Sequence, residues 1–284
     1  MDFAGYGDSD ERNSTIFASS LDWIDDARDI LNLVENFVLE GPFVASPHRL
    51  PAHLHRLPSE CASQRRKFGF HDRHVLGVSH SMGGGIIANA ACASPNLFQS
   101  LILLDPAIIS NRNSRLQTYF ISALLRRQAW PSRDEARAQF LQNPFFKGWD
   151  PEVLDVHIQH GLADIPASEG GGVRLKMSSF QEAVNTIDNH FIQETYQVLE
   201  GLDEKVNFRW IMPTVPLHLD RPEYRPAVVR RRLVNSSNVV IDLDHMCSQK
   251  RLCPVGRFTK VSEVRLPPSE YATLGLCCVR SCSY

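Results

Sequence analysis

Apolar positions along the chain fall into two regimes: short unbroken runs, and longer runs with a helical period. From Ser20 onward Leu21, Ile24, Ala27, Ile30, Leu31, Val34 and Phe37 recur at helical spacing, with Asp22, Asp25, Asp26, Arg28 and Asp29 between them as a polar face. Ser19 or Ser20 followed by early acids suits the start of that helix. His74 to Val78 and Ser100 to Leu104 are short apolar runs of the kind buried on both faces of a parallel sheet. Met82 to Cys92 predicts an apolar helix between them, which makes a right-handed strand–helix–strand unit. Residues 111–200 change character: Arg115 to Arg127, Arg133 to Leu141, Pro151 to His160 and Gln181 to Leu199 predict helices with few strand candidates between. Phe208 to Met212 and Asn238 to Ile241 predict the last strands. Two stretches lack a period. Residues 1–10 predict a Gly/Asp loop after a strand end at Met1-Asp2-Phe3. Residues 41–72, rich in Pro, His, Ser and Arg, predict an inserted surface loop.

The serine in Val78-Ser79-His80-Ser81-Met82-Gly83-Gly84-Gly85 carries the candidate chemistry. A serine at a tight strand-to-helix elbow has its hydroxyl forced out of the chain, and the positions two residues either side must be small because the turn leaves no room. The helix start aims free N–H groups at any anion forming on a bound carbonyl, with the N–H of Met82 as one oxyanion donor. His80 stands beside Ser81 but points off the turn, as part of the pocket wall.

Composition narrows the picture. The chain has 284 residues, 43% hydrophobic and 22% charged, enough for one large α/β domain or two small ones. A formal net charge of −2 gives no electrostatic reason to expect nucleic acid or a membrane surface. Arg65-Arg66-Lys67 and Arg230-Arg231-Arg232 are short and predict solvated turns or helix ends. No apolar run approaches the roughly 18 residues of a membrane span. Met1 to Asp8 lacks a basic and then apolar leader, so the expected compartment is intracellular, with reduced thiols. Cys247, Cys253, Cys277, Cys278 and Cys282 crowd residues 247–284. With no Cys-x-x-Cys pair and only His245 nearby, their spacing predicts no metal site, and nothing in the sequence asks for a cofactor.

Gly5-Tyr6-Gly7-Asp8-Ser9, the serine elbow, Leu103-Leu104-Asp105-Pro106 and a late strand leading to Asp244-His245 stand in the order of the α/β-hydrolase superfamily, which the chain resembles over residues 1–246. Asp22-Trp23 with Asp26-Ala27-Arg28-Asp29, Trp130-Pro131-Ser132-Arg133-Asp134-Glu135-Ala136 and Trp149-Asp150-Pro151-Glu152-Val153-Leu154 resemble a fungal branch of it, associated with secondary-metabolite and host-selective toxin clusters of the AK-, AF- and ACT-toxin type. Ser79 stands where glycine is usual. The resemblance implies a mostly parallel sheet with flanking helices: a core over residues 1–110 with the loop insertion at 41–72, a helical cap over 111–200, late core strands over 201–246, and a divergent, disordered tail over 247–284. It implies His245 as general base to Ser81. The acid stays open between Asp105, at the end of an early strand, and Asp220 or Glu223, after the strand ending near Met212. Asp105-Pro106 is equally ordinary turn chemistry.

These roles predict acyl transfer through Ser81, hence hydrolysis of an ester or thioester of a small apolar acyl compound in toxin or secondary-metabolite biosynthesis. Carboxylate chemistry of the epoxide-hydrolase or dehalogenase kind is disfavoured. Phe120, Leu124, Trp130, Phe145, Phe146 and Trp149 fit either an apolar acyl site or the cap's own core. The alternatives are an acyltransferase and a truncated, catalytically silent chain. By the resemblance, the first three strands and the loop with a second oxyanion donor would precede Met1, and losing such a donor costs on the order of 3 kcal/mol. The strand at Val75 to Val78 would then present an unpaired apolar edge open to self-association. Residues 250–284, with Pro254, Pro267 and Pro268, resemble a read-through of another frame rather than a terminal helix. Similar hydrolases are thought to be peroxisomal, but Cys282-Ser283-Tyr284 is no Ser-Lys-Leu signal.

Overall fold

The computed structural model describes residues 3–13, 22–38, 54–110, 116–185, 189–216, 225–250 and 276–278. Its strands are β1 (Leu76–His80), β2 (Ser100–Leu104), β3 (Ala129–Trp130), β4 (Leu162–Asp164), β5 (Val173–Leu175), β6 (Asn207–Val215), β7 (Ser236–Asp244) and β8 (Leu276–Cys278). Its helices are α1 (Gly7–Asn13), α2 (Trp23–Asn36), α3 (Ser59–Phe68), α4 (Met82–Ala93), α5 (Leu116–Leu125), α6 (Arg133–Phe140), α7 (Pro144–Lys147), α8 (Pro151–His160), α9 (Ser179–Asn185), α10 (Asn189–Val198), α11 (Arg225–Val229) and α12 (Cys247–Lys250). None of the described helices is long and apolar enough to cross a membrane.

The central sheet is parallel throughout, in the order β7-β6-β2-β1-β8. Strand β2 is buried at every position. Leu101 and Leu103 face a core built with Ile86 and Ile87 of α4, Trp23 and Ile30 of α2, and Trp210 of β6. Ile102 and Leu104 face the other side, with Ile211, Ile241 and Cys247. That two-sided burial explains the unbroken apolar run in its sequence. Helix α4 is buried from Met82 through Ala91, so its apolar residues also run unbroken.

Between β2 and β6 the chain builds a second body. Strands β3, β5 and β4 form a small antiparallel sheet where the sequence offers few strand candidates. Each is three residues or fewer, too short to show a period of two. Side chains of Ser132, Asn143 and Asp150 accept from backbone N–H groups at the starts of α6, α7 and α8. Trp130, Phe140, Phe146, Trp149 and Leu154 pack together as that body's core, with Met246 added from beyond β7. Trp130, Phe146 and Trp149 are thus taken up by packing, while Leu124 lies exposed.

His157 sits against Phe140, Phe146 and Trp149 in the same cluster. Burial, and then the nearby Arg126 cation, push it down to about 4. Its folded value lies below that of the unfolded chain, so the unfolded chain binds the proton first, and stability is lost as pH falls from 6.5 toward 4. Between pH 7 and pH 5 urea unfolding of His157→Phe should lose about 2 kcal/mol less stability than the wild type loses.

Several expectations need correction. Residues 7–10 of the expected loop belong instead to helix α1, and residues 59–68 form α3 inside the stretch expected to be a loop insertion. Helix α3 has little apolar period because Ala62 and the buried Arg65 attach it. The Arg65 guanidinium donates to the carbonyls of Val34 and Glu35, capping the end of α2. Arg232 is likewise buried and donates to the carbonyls of Asp203 and Val206. Neither basic cluster is therefore only a solvated face. The β1 edge, expected to be unpaired, is paired with β8 from the segment expected to be a disordered tail. Pairing satisfies backbone groups that an open edge would leave to another chain. Ser19 and Ser20, and the strand end at Met1-Asp2, lie outside the described residues.

Candidate active site

The site is assembled at the carboxyl ends of β1, β2 and β7, where open parallel sheets place their ligands. Ser81 occupies the single residue between β1 and α4, with φ 57° and ψ −125°. That left-handed φ is costly for a residue with a side chain, of order 1–3 kcal/mol, and persists only where the surroundings impose it. Here they do. The Ser81 N–H donates to Leu104 O at 3.0 Å, and Ser81 O accepts from the N–H groups of Gly84 at 3.0 Å and Ala107 at 2.8 Å. The elbow is therefore gripped by the chain leaving β2. The grip needs Gly84: a Cβ there would lie 2.5 Å from Cβ of Pro106.

Asp105 is the first residue after β2, also at positive φ (36°), and its N–H donates to Ile211 O at 2.9 Å. Its Oδ2 stands 2.7 Å from Nδ1 of His245, and both side chains are buried. His245 directly follows β7. Its turn is fixed by the Asp244 carboxylate, which accepts from Met246 N–H at 3.0 Å and pairs with Lys250. The inserted body also holds this turn, through Met246 in its core and through Asp150 N–H donating to Gln249 O at 2.8 Å. Met82 opens α4, so its N–H is among those without a partner inside the helix. Its sulfur accepts from the Tyr6 hydroxyl at 3.3 Å, which brings the Gly5-Tyr6-Gly7 segment against the elbow.

His80, expected in the pocket wall, is instead engaged with His245. Its Nε2 lies 2.7 Å from the main-chain oxygen of His245, and the two rings are 4.5 Å apart. Burial lowers both imidazoles to about 3, for His245 against the opposing pull of the Asp244 carboxylate. Both are neutral at neutral pH. Burial, and then the charge of Asp105, push the Cys247 thiol up to about 12 and leave it unreactive.

Of the residues singled out in the sequence, Ser81, Met82, Asp105 and His245 come together at one end of the sheet. Asp220 and Glu223 lie outside the described residues. The contacts of His80, Met246 and Tyr6 were not legible. His80 adjoins the elbow in the sequence, but its partner lies 165 positions away.

A model of the Alpha/beta hydrolase family matches residues 1–245. Relatives of the branch expected from the tryptophan-bearing motifs are among the similar proteins. "Abhydrolase domain-containing protein AFT2-1" of Alternaria alternata is 39% identical over 124 residues, 42% of this chain and 46% of that protein. "Type I acyl-CoA thioesterase mpaH" of Penicillium brevicompactum is 31% identical over 171 residues, 58% of this chain and 32% of that protein. These matches span about half or less of each relative's length. Among solved structures, the peroxisomal alpha-beta-hydrolase Lpx1 of Saccharomyces cerevisiae shares the fold with a TM-score of 0.65 at 18% identity, over 95% of this chain and 68% of that one.

Proposed function

This chain belongs to the alpha/beta hydrolase family, and from that premise we propose that it is a serine hydrolase cleaving an ester or thioester of a small apolar acyl compound. The observation that carries the reading is the buried Asp105–His245 hydrogen bond, formed beside a serine held at positive φ. Asp105 accepts the Nδ1 proton, which leaves Nε2 of His245 as the basic nitrogen. Ser81 attacks the acyl carbon while His245 takes its proton, and the Met82 N–H steadies the oxyanion. Collapse of that intermediate expels the alcohol or thiol, which takes the proton back from His245. Water then cleaves the acyl–Ser81 ester by the same route.

Asp105 serves as the acid in this scheme, in preference to Asp220. The thioester option draws on the likeness to a protein named as an acyl-CoA thioesterase. A place in fungal toxin or secondary-metabolite biosynthesis draws on the motif resemblance and the Alternaria relatives. The inserted body, joined to the turn of His245, would cover the acyl group.

A serine-directed fluorophosphonate probe tests the reading. Wild-type protein should be labelled, Ser81→Ala should not, and Ser79→Ala should keep its label. Folded wild-type protein that takes no label sinks the proposal.

A further inference from the structure

We propose that His80 is a positioning residue for His245, holding the main chain of the base in register with the nucleophile; this rests on the reading of His245 as the base. A carbonyl oxygen only accepts, so in the 2.7 Å contact His80 must donate from Nε2. Buried His80 carries one proton at neutral pH, and this contact assigns it to Nε2. Its Nδ1 is then a bare acceptor, buried and without a partner among the described residues. An imidazole that leaves one nitrogen unsatisfied is kept here by what the other nitrogen does.

What it does is geometrical. The hydrogen bond that His245 Nδ1–H donates to Asp105 holds the base by its ring. The bond from His80 grips the backbone of the same residue, so the base is held at both its ring and its main chain. His80 is also the residue immediately before Ser81. Base and nucleophile are therefore registered through one peptide unit, although they lie far apart in the chain. The two rings, tilted against each other at close range, add an electrostatic condition. When His245 takes the serine proton, its cation faces a neutral ring 4.5 Å away rather than a like charge.

Three variants and two readouts test the role. His80→Phe keeps the ring and removes the donor. His80→Gln places an amide N–H near the reach of Nε2, and His80→Asn places one short of it. Fluorophosphonate labelling of Ser81 and turnover of a short-chain acyl thioester should fall about 100-fold in the Phe and Asn variants, as for a displacement near 1 Å, with KM unchanged. Gln should recover most of the loss. Should the Phe variant not fold, the comparison of Gln with Asn decides. Should none fold, the ring 15N spectrum of wild-type protein decides: His80 must be the Nε2–H tautomer at pH 7, and the Nδ1–H tautomer overturns the proposal. Folded Phe or Asn protein labelled at the wild-type rate overturns the role of His80 and leaves the serine-hydrolase reading standing. Unlabelled wild-type protein overturns both.

Discussion

Asp105→Asn should lower acyl turnover by about 10⁴-fold, the size of effect seen when the carboxylate of a Ser-His-Asp triad becomes an amide. The substitution preserves volume, and the main-chain bond from Asp105 N–H to Ile211 O survives it. What it removes is charge. His245 is so buried that its cation is strongly disfavoured at rest, its pKa lowered to about 3, yet the proposed mechanism requires that cation in passing. A carboxylate 2.7 Å from Nδ1 is the group placed to stabilise it. It also holds the proton on Nδ1, whereas an amide can present its NH₂ and turn the imidazole to the other tautomer. Steady-state kinetics should show the loss in kcat with KM and thermal midpoint little changed. Asp220→Asn should leave turnover unaltered. If the two variants exchange behaviour, the acid is Asp220 and the Asp105 contact is structural.

Gly84→Val should cost about 3 kcal/mol of stability, at the upper end of overpacking effects, and most of the activity with it. A Cβ at position 84 would lie 2.5 Å from Cβ and 3.0 Å from Cα of Pro106, atoms of a rigid ring that cannot rotate aside. Relief requires α4 and the chain after β2 to separate. That separation pulls on the 2.8 Å bond from Ala107 N–H to Ser81 O, which helps hold the serine in its strained conformation. The same movement carries Asp105 away from His245. Urea unfolding reads the first effect, and fluorophosphonate labelling of protein still folded at low denaturant reads the second. A variant as stable and as fast as wild type would show that the elbow does not depend on this close approach.

The elbow was legible in the sequence because every requirement on it is local. A short apolar strand, one serine, small neighbours and an apolar helix specify the turn within a dozen residues. Strand β2 was legible for a related reason, since burial on both faces leaves an unbroken apolar run. Helix α3 and the short strands β3 to β5 were not. Helix α3 attaches through Arg65, which no apolar period reveals, and the strands are too brief to alternate. The aromatic residues of the insert could be placed in a core or around a ligand with equal justice. Only packing assigns Trp130, Phe146 and Trp149 to the core.

The amino-acid sequence by itself determined the parallel α/β architecture, the serine and its presentation, because hydrophobic period and turn sterics act between near neighbours. Only the tertiary structure decided which groups meet that serine's neighbourhood. Asp105 and His245 are 140 positions apart, and they touch because β6 lies between β2 and β7 in the sheet and brings their ends level. His80 reaches His245 for the same reason, across 165 positions. Strand order is a property of the whole sheet, and no local pattern encodes it.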